Sequence, residues 1–272
     1  MRQNLSTEFK FISEKLINDH QVDNIEMGYM DLMSKAENIN LLGELIKNFV
    51  EGQHKGLDNV YDLEDGFHKT IWMEGSIKKL KEDPECAKII EERYMGPEYD
   101  LDKLSKLPKD TLGYTYAKIM TTMGFQPHFY RDRTSVNDES DYVTMRVRKT
   151  HDLHHALSGF DMSVGEIGVI AINVSQFGYP AFMLLDLVGL TMACFPTMSK
   201  IPENEKFLGG LVFDTLSAGI KMGREAKQLF PVKFEEMLDR PLQEVRNQLN
   251  ITPIRDGPSW YHYPGLKDAG LT

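Results

Sequence analysis

The stretch that decides the fold runs from Asp141 to Glu166, DYVTMRVRKTHDLHHALSGFDMSVGE. Val143, Val147, His151 and His155 recur every fourth position, which in an α-helix stacks them one turn apart on a single face. Gly159 supplies a C-terminal stop, because glycine enters the left-handed backbone that ends helices at no steric cost. Ser163 then opens the pattern Ser-x-x-Glu, the mark of a new helix with Glu166 in its first turn. On one straight helix His155 and Glu166 would lie about 16 Å apart. They can meet only if the chain breaks and reverses at Gly159, so a helix–loop–helix is expected here.

The same stretch carries the chemistry. Three of the eight histidines, His151, His154 and His155, fall within five residues. His151 and His155 share a face, with Asp152 about a hundred degrees round the helix, so two imidazoles and a carboxylate can converge on one cation. Glu166 either joins them from the next helix or only completes a capping box with Ser163. The histidines likewise have two readings, as metal ligands or as core groups satisfied by hydrogen bonds. Burying two of them beside an aspartate without a cation or partner is costly, which favours metal. Arg146 and Arg148, on the turns before His151, either grip an anionic head group near the metal or belong to a solvated charged face paired with Asp138, Glu139 and Asp141.

Helical punctuation continues in both directions. Leu41, Leu42, Leu45, Ile46, Phe49 and Val50 form an apolar stripe ending before Gly52. Asp83 and Pro84 are an N-cap and first-position pair for a helix running to Gly96 and Pro97. Leu112, Tyr116, Met120 and Met123 step along one face before Gly124, Asp138 opens the helix of the histidines, and a last helix covers about 205 to 228. Strand alternation is scarce. The expectation is an all-α, single multi-helix domain over residues 35–272, with an extension over residues 1–34.

The run from Phe177 to Phe195 is almost long enough to span a bilayer, but Asp186 at its centre costs about 2.5 to 3.5 kcal/mol on insertion scales. A buried core helix is the better reading. Asp186 then either serves a site, if it faces inward, or pairs locally.

Composition excludes other classes. With 31 basic and 41 acidic residues the chain carries a charge of −10, against a general nucleic-acid or anionic-membrane surface. Two cysteines, Cys86 and Cys194, give no disulfide framework, and the first twenty residues hold neither a signal nor a transit peptide, so a cytoplasmic location is expected. The 15 methionines suit irregular packing or a pocket for a lipid tail.

Beyond these readings, the pattern His151-Asp152-x-x-His155 followed by Glu166 resembles the Coq-four family of ubiquinone (coenzyme Q) biosynthesis. ERYMGPEYDLDKLSKLPKDTLGYTYAKIM and GFQPHFY upstream, DYVTMRVRKTHD with its two arginines, GEIGVIAINVSQFGYP downstream and the late LNITPI all look like that family. The resemblance covers about 85–254 well, 35–84 weakly and the first 30 residues not at all. It implies an all-helical fold enclosing a lipid-accessible cavity, and a divalent metal, zinc or else magnesium, on His151, Asp152, His155 and Glu166. It implies action on a prenylated quinone precursor by oxidative decarboxylation and hydroxylation at C1, or alternatively a non-catalytic role as a lipid-binding organiser of the biosynthetic complex. Other quinone-biosynthesis enzymes as partners, a homodimer and peripheral contact with the inner face of the cell membrane go with it. His154 departs from the leucine common there. A metal-dependent prenyl phosphohydrolase is a third reading, weakened by the single His-Asp pair.

Overall fold

A computed structural model describes residues 43, 46–127, 136–194, 208–257 and 259–260. The expected boundary between residues 34 and 35 lies outside them, as does the whole N-terminal extension. The chain divides into two compact units, Met1–Gly75 and Ser76–Thr272. The described residues contain helices and no strand, only two isolated bridges, Thr111 with Pro241 and Phe160 with Trp260. The all-α expectation holds.

In the first unit α1 (Leu57–Gly66) follows a short 3-10 turn at Gly52–Lys55, and α2 (Ile71–Leu80) begins. The Asn59 amide donates to Phe49 O at 2.8 Å, and the Phe67 and Trp72 rings meet edge to face at 6.1 Å.

The second unit holds α3 (Pro84–Glu92), α4 (Leu101–Leu104), α5 (Leu112–Met123), α6 (Glu139–Ser158), α7 (Gly165–Phe177), α8 (Pro180–Cys194), α9 (Leu208–Glu225) and α10 (Leu242–Leu249). Asp83 caps α3 as expected, accepting from Glu85 N and Cys86 N. That helix ends earlier than glycine and proline suggest, because Arg93 itself takes the left-handed conformation (φ 49°) and its guanidinium donates to the carbonyls of Val136 and Asn137. Cys86 is buried on α3, its thiol pushed up to about 12 by burial, so it packs as a small apolar group.

The long helix α6 lies at the centre. Asp138 starts it by accepting from Asp141 N at 2.9 Å, and Gly159 (φ 81°) ends it. Almost every residue along it is buried, the charged ones included. The apolar core joins α5, α6, α7, α9 and α10 through side chains such as Tyr116, Leu153, Ile172, Met222 and Val245. Arg246 on α10 donates to Leu157 O and Ala156 O, occupying carbonyls left open at the end of α6. Sequence periodicity places the last helix at about 205 to 228. The structure ends that helix at Glu225 and adds α10 beyond it.

The helices α7 and α9 cross backbone to backbone. A Cβ on Gly219 would collide with Gly168 O, and one on Gly223 with Ser175 Oγ and Ile172 O. This contact fixes the helix that carries Glu166. The membrane reading is settled in the expected direction: among the described residues no helix is long and apolar enough to cross a bilayer, and the fifteen-residue α8 buries Asp186 at 5% exposure.

Candidate metal centre

The reversal after Gly159 occurs and brings Glu166 back onto the histidines. Its Oε1 lies 2.8 Å from His151 Nε2 and its Oε2 3.1 Å from His155 Nε2. The two rings stand edge to face, centroids 5.2 Å apart. His151, Asp152 and His155 each offer a ligand atom within 4.8 Å of the others. All four residues expected at the centre are therefore brought together.

The loop is built differently from the expected capping box. Ser163 does not cap α7 with its side chain; its Oγ donates to Asp161 Oδ2 at 2.7 Å. Asp161 does the capping, its Oδ1 accepting from Ser163 N at 3.0 Å and Gly165 N at 2.9 Å, while its own N–H donates to Ser259 O. Asp161 is fully buried, and with the loop so held the Glu166 carboxylate is left to the histidines. Asp161 follows Gly159 closely, and the aspartate preceding a helix start was the signal that could have found it.

Donor chemistry tests the fit to a cation. His155 Nδ1 lies 3.0 Å from Phe160 O, and a carbonyl only accepts, so Nδ1 carries the hydrogen. A neutral ring then directs the lone pair of Nε2 at the Glu166 oxygen, acceptor against acceptor. Either an imidazolium or a cation between them resolves this, and a backbone carbonyl orienting the far nitrogen is the usual support for a metal-bound histidine. Partial burial, which leaves the side chain 43% accessible, works against the ionised form of Glu166. The charge on His151 and hydrogen bonds from both histidines outweigh it and hold the carboxyl well below its usual range. Burial raises Asp152, opposed by His151 and His155. Two imidazoles and two carboxylates are a donor set that suits zinc, and the residues present fit the ion.

Around the centre, His154 is buried on another side of α6, with its Nδ1 3.4 Å from the Asn173 amide, and burial holds it down at about 3. The Phe182 ring on α8 packs edge-on to His151 at 5.5 Å. One turn further along α8, Asp186 is pushed up to about 8 by burial and then by the charge of Glu166.

Arg146 is not at this site. Fully buried, it pairs with Glu235 at 2.6 Å and 3.2 Å and donates to Val232 O. Tyr99 OH also donates to Glu235, and the Tyr94 ring lies 5.6 Å from the guanidinium. Neither sequence reading, head-group contact or solvated face, describes it: Glu235 lies 89 residues away, and only the folded chain brings the pair together. Lys149 is buried as well, donating to Gly96 O and Pro97 O. Arg148 is buried one turn before Asp152.

Residues 66–255 match the family model described as "Coenzyme Q (ubiquinone) biosynthesis protein Coq4". The chain belongs to this family. The mitochondrial ubiquinone biosynthesis protein COQ4 of Kluyveromyces lactis is 29% identical over 73% of this chain and 58% of its own length. The mitochondrial COQ4 homolog of Bos taurus is 31% identical over 65% of each. The chain thus spans roughly three fifths of these relatives. A crystal structure from Nostoc punctiforme, described as that of a ubiquinone biosynthesis protein, is 28% identical and superposes with a TM-score of 0.66 over 78% of this chain and 97% of that one.

Proposed function

We propose that this Coq4-family chain acts in ubiquinone biosynthesis, as a metal-dependent enzyme that removes the C1 carboxylate of a prenylated ring precursor as carbon dioxide and hydroxylates that carbon, with dioxygen as the oxidant, reduced to water by electrons from the ring, which leaves as the quinone. One observation carries the reading: the Glu166 carboxylate of α7 is set between the Nε2 atoms of His151 and His155 on α6, with Asp152 in ligand range. Those four residues would hold the ion. Bound there, zinc or magnesium supplies Lewis acidity toward a ring carboxylate or phenolate.

The chain's own residues do the rest. The Phe160 carbonyl orients His155, Asp152 and Glu166 balance the charge of a divalent cation, and Phe182 sets an apolar wall against His151 that keeps water from one side. Arg148, buried one turn before Asp152, would orient an anionic head group. A prenyl tail is matched by the almost wholly apolar α8, and such a substrate draws the chain to a membrane surface as a peripheral protein.

The test is metal analysis of the purified chain together with mass spectrometry of co-purified lipid and a turnover assay on a prenylated aromatic acid. Stoichiometric divalent metal, bound isoprenoid and release of carbon dioxide are expected. Metal and lipid without turnover would turn the reading into that of an organiser presenting intermediates to partner enzymes. No metal in either the wild type or a metal-supplemented preparation would reject the centre itself.

A further inference from the structure

Asp186 is 5% exposed, and neither of its carboxylate oxygens meets a hydrogen-bond donor among the described residues. A buried carboxyl left in that state costs free energy that packing alone does not return, so its donor is expected from something that binds. Its position says where. On α8 Phe182 and Asp186 are one turn apart on one face, and Gly189 follows three residues later. Phe182 touches the His151 ring, and Gly189 lies so close to Ile167 that an added Cβ would stand 3.1 Å from its Cδ1. The face between them therefore looks onto the start of α7 and the histidines, and Asp186 feels the charge of Glu166. It stands apart from the ligand-distance group of His151, Asp152 and His155.

Resting on the metal-centre reading above, we propose that Asp186 binds the substrate directly, accepting a hydrogen bond from a hydroxyl group of an aromatic ring seated beside Phe182 at the edge of the metal centre. The chemistry of the surroundings selects this class. Asp152 and Glu166 place acidic groups on the side of Asp186 that faces the centre, which disfavours a phosphate or any other free anion at this edge of the site. A neutral phenolic hydroxyl supplies the missing donor, and its ring matches the aromatic and aliphatic wall of α8.

The experiment uses the full chain, loaded with zinc, and two probes, 2-geranylphenol and its O-methyl ether, with binding followed by calorimetry. The wild type is expected to prefer the phenol by about tenfold, the order of one buried hydrogen bond. Asp186→Leu is expected to bind both equally, to keep its zinc, and to melt at or above the wild-type temperature, since it removes a buried acid. Asp186→Ala serves as the second variant should leucine not fit. Equal binding of both probes by the wild type, or a preference that survives in the variant, overturns the proposal while leaving the metal centre intact. Loss of zinc from Asp186→Leu overturns it by making Asp186 a metal ligand. Failure of the wild type to bind either probe overturns both this proposal and the prenylated-ring reading on which it rests.

Discussion

Helix α6 carries two buried charge clusters little more than a turn apart, and they are finished in opposite ways. At Arg146 the charges cancel: one guanidinium meets one carboxylate from Glu235, both side chains fully buried, with the Val232 carbonyl as a further acceptor and the Tyr99 hydroxyl on the same carboxylate, and only the Arg146 Nε lacks an acceptor among the described residues. At His151 and His155 the acids accumulate, Asp152 and Glu166 in contact range and Asp186 beyond, and the Nε2 atoms of both imidazoles converge on the one Glu166 carboxylate. A cluster that closes on itself holds elements together; one whose acids outnumber its fixed cations is where the proposed ion would belong. Burial and charge alone do not separate them, because both are buried and both are charged.

The sharpest way to break this contrast is to neutralise the acid in each. Glu166→Gln is expected to abolish stoichiometric metal, read by plasma mass spectrometry, with little change in helical circular dichroism. Glu235→Leu is expected to do the reverse, keeping the metal while destabilising the fold by about 3 to 5 kcal/mol in denaturant titration, since Arg146 is left buried without its partner. The double variant Arg146→Met with Glu235→Leu should recover most of that loss. If Glu235→Leu empties the metal site as thoroughly as Glu166→Gln, the two clusters are one.

Smaller effects sharpen the picture. Gly219→Ala would normally strengthen a helix interior, but here the new methyl meets Gly168 O, and a net loss of about 1 to 3 kcal/mol is expected. Because α7 must shift, metal affinity should fall with it, whereas the pair at Arg146 should be untouched. The smallest effect is acid dependence at His154. Burial holds the folded ring neutral down to about 3, while the unfolded ring protonates near 6.5, so the unfolded state binds the extra proton as pH falls. That contribution to stability is full above pH 6.5 and fades toward pH 3. His154→Leu should flatten the melting temperature across that interval, most visibly above the range where carboxylates titrate.

The sequence made the helix ends around the site legible because they are local: Asp138, Gly159 and Gly124 act on their immediate neighbours, and the observed caps sit at those residues. The four candidate ligands were legible for the same reason, through one-turn spacing and a forced break. Ser163 misled because two side chains compete for one helix start, and Asp161, anchored by Ser259 nearly a hundred residues on, takes it. Glu235 and α10 carried no local signal; an eight-residue helix with two buried apolar side chains becomes definite only against α6. Asp186 stood out as a charge in an apolar run, yet its direction depended on how α8 lies over α7.

The unequal exposure of the four candidate ligands has a further consequence. The His155 side chain is 1% accessible and that of His151 16%, but Glu166 remains 43% accessible. An ion held there would have a way out past Glu166 without unfolding of α6. A chelator should strip it from the native protein and added zinc should restore it. Thermal stability would then track the free-ion concentration smoothly, as for any ligand that exchanges with the folded state.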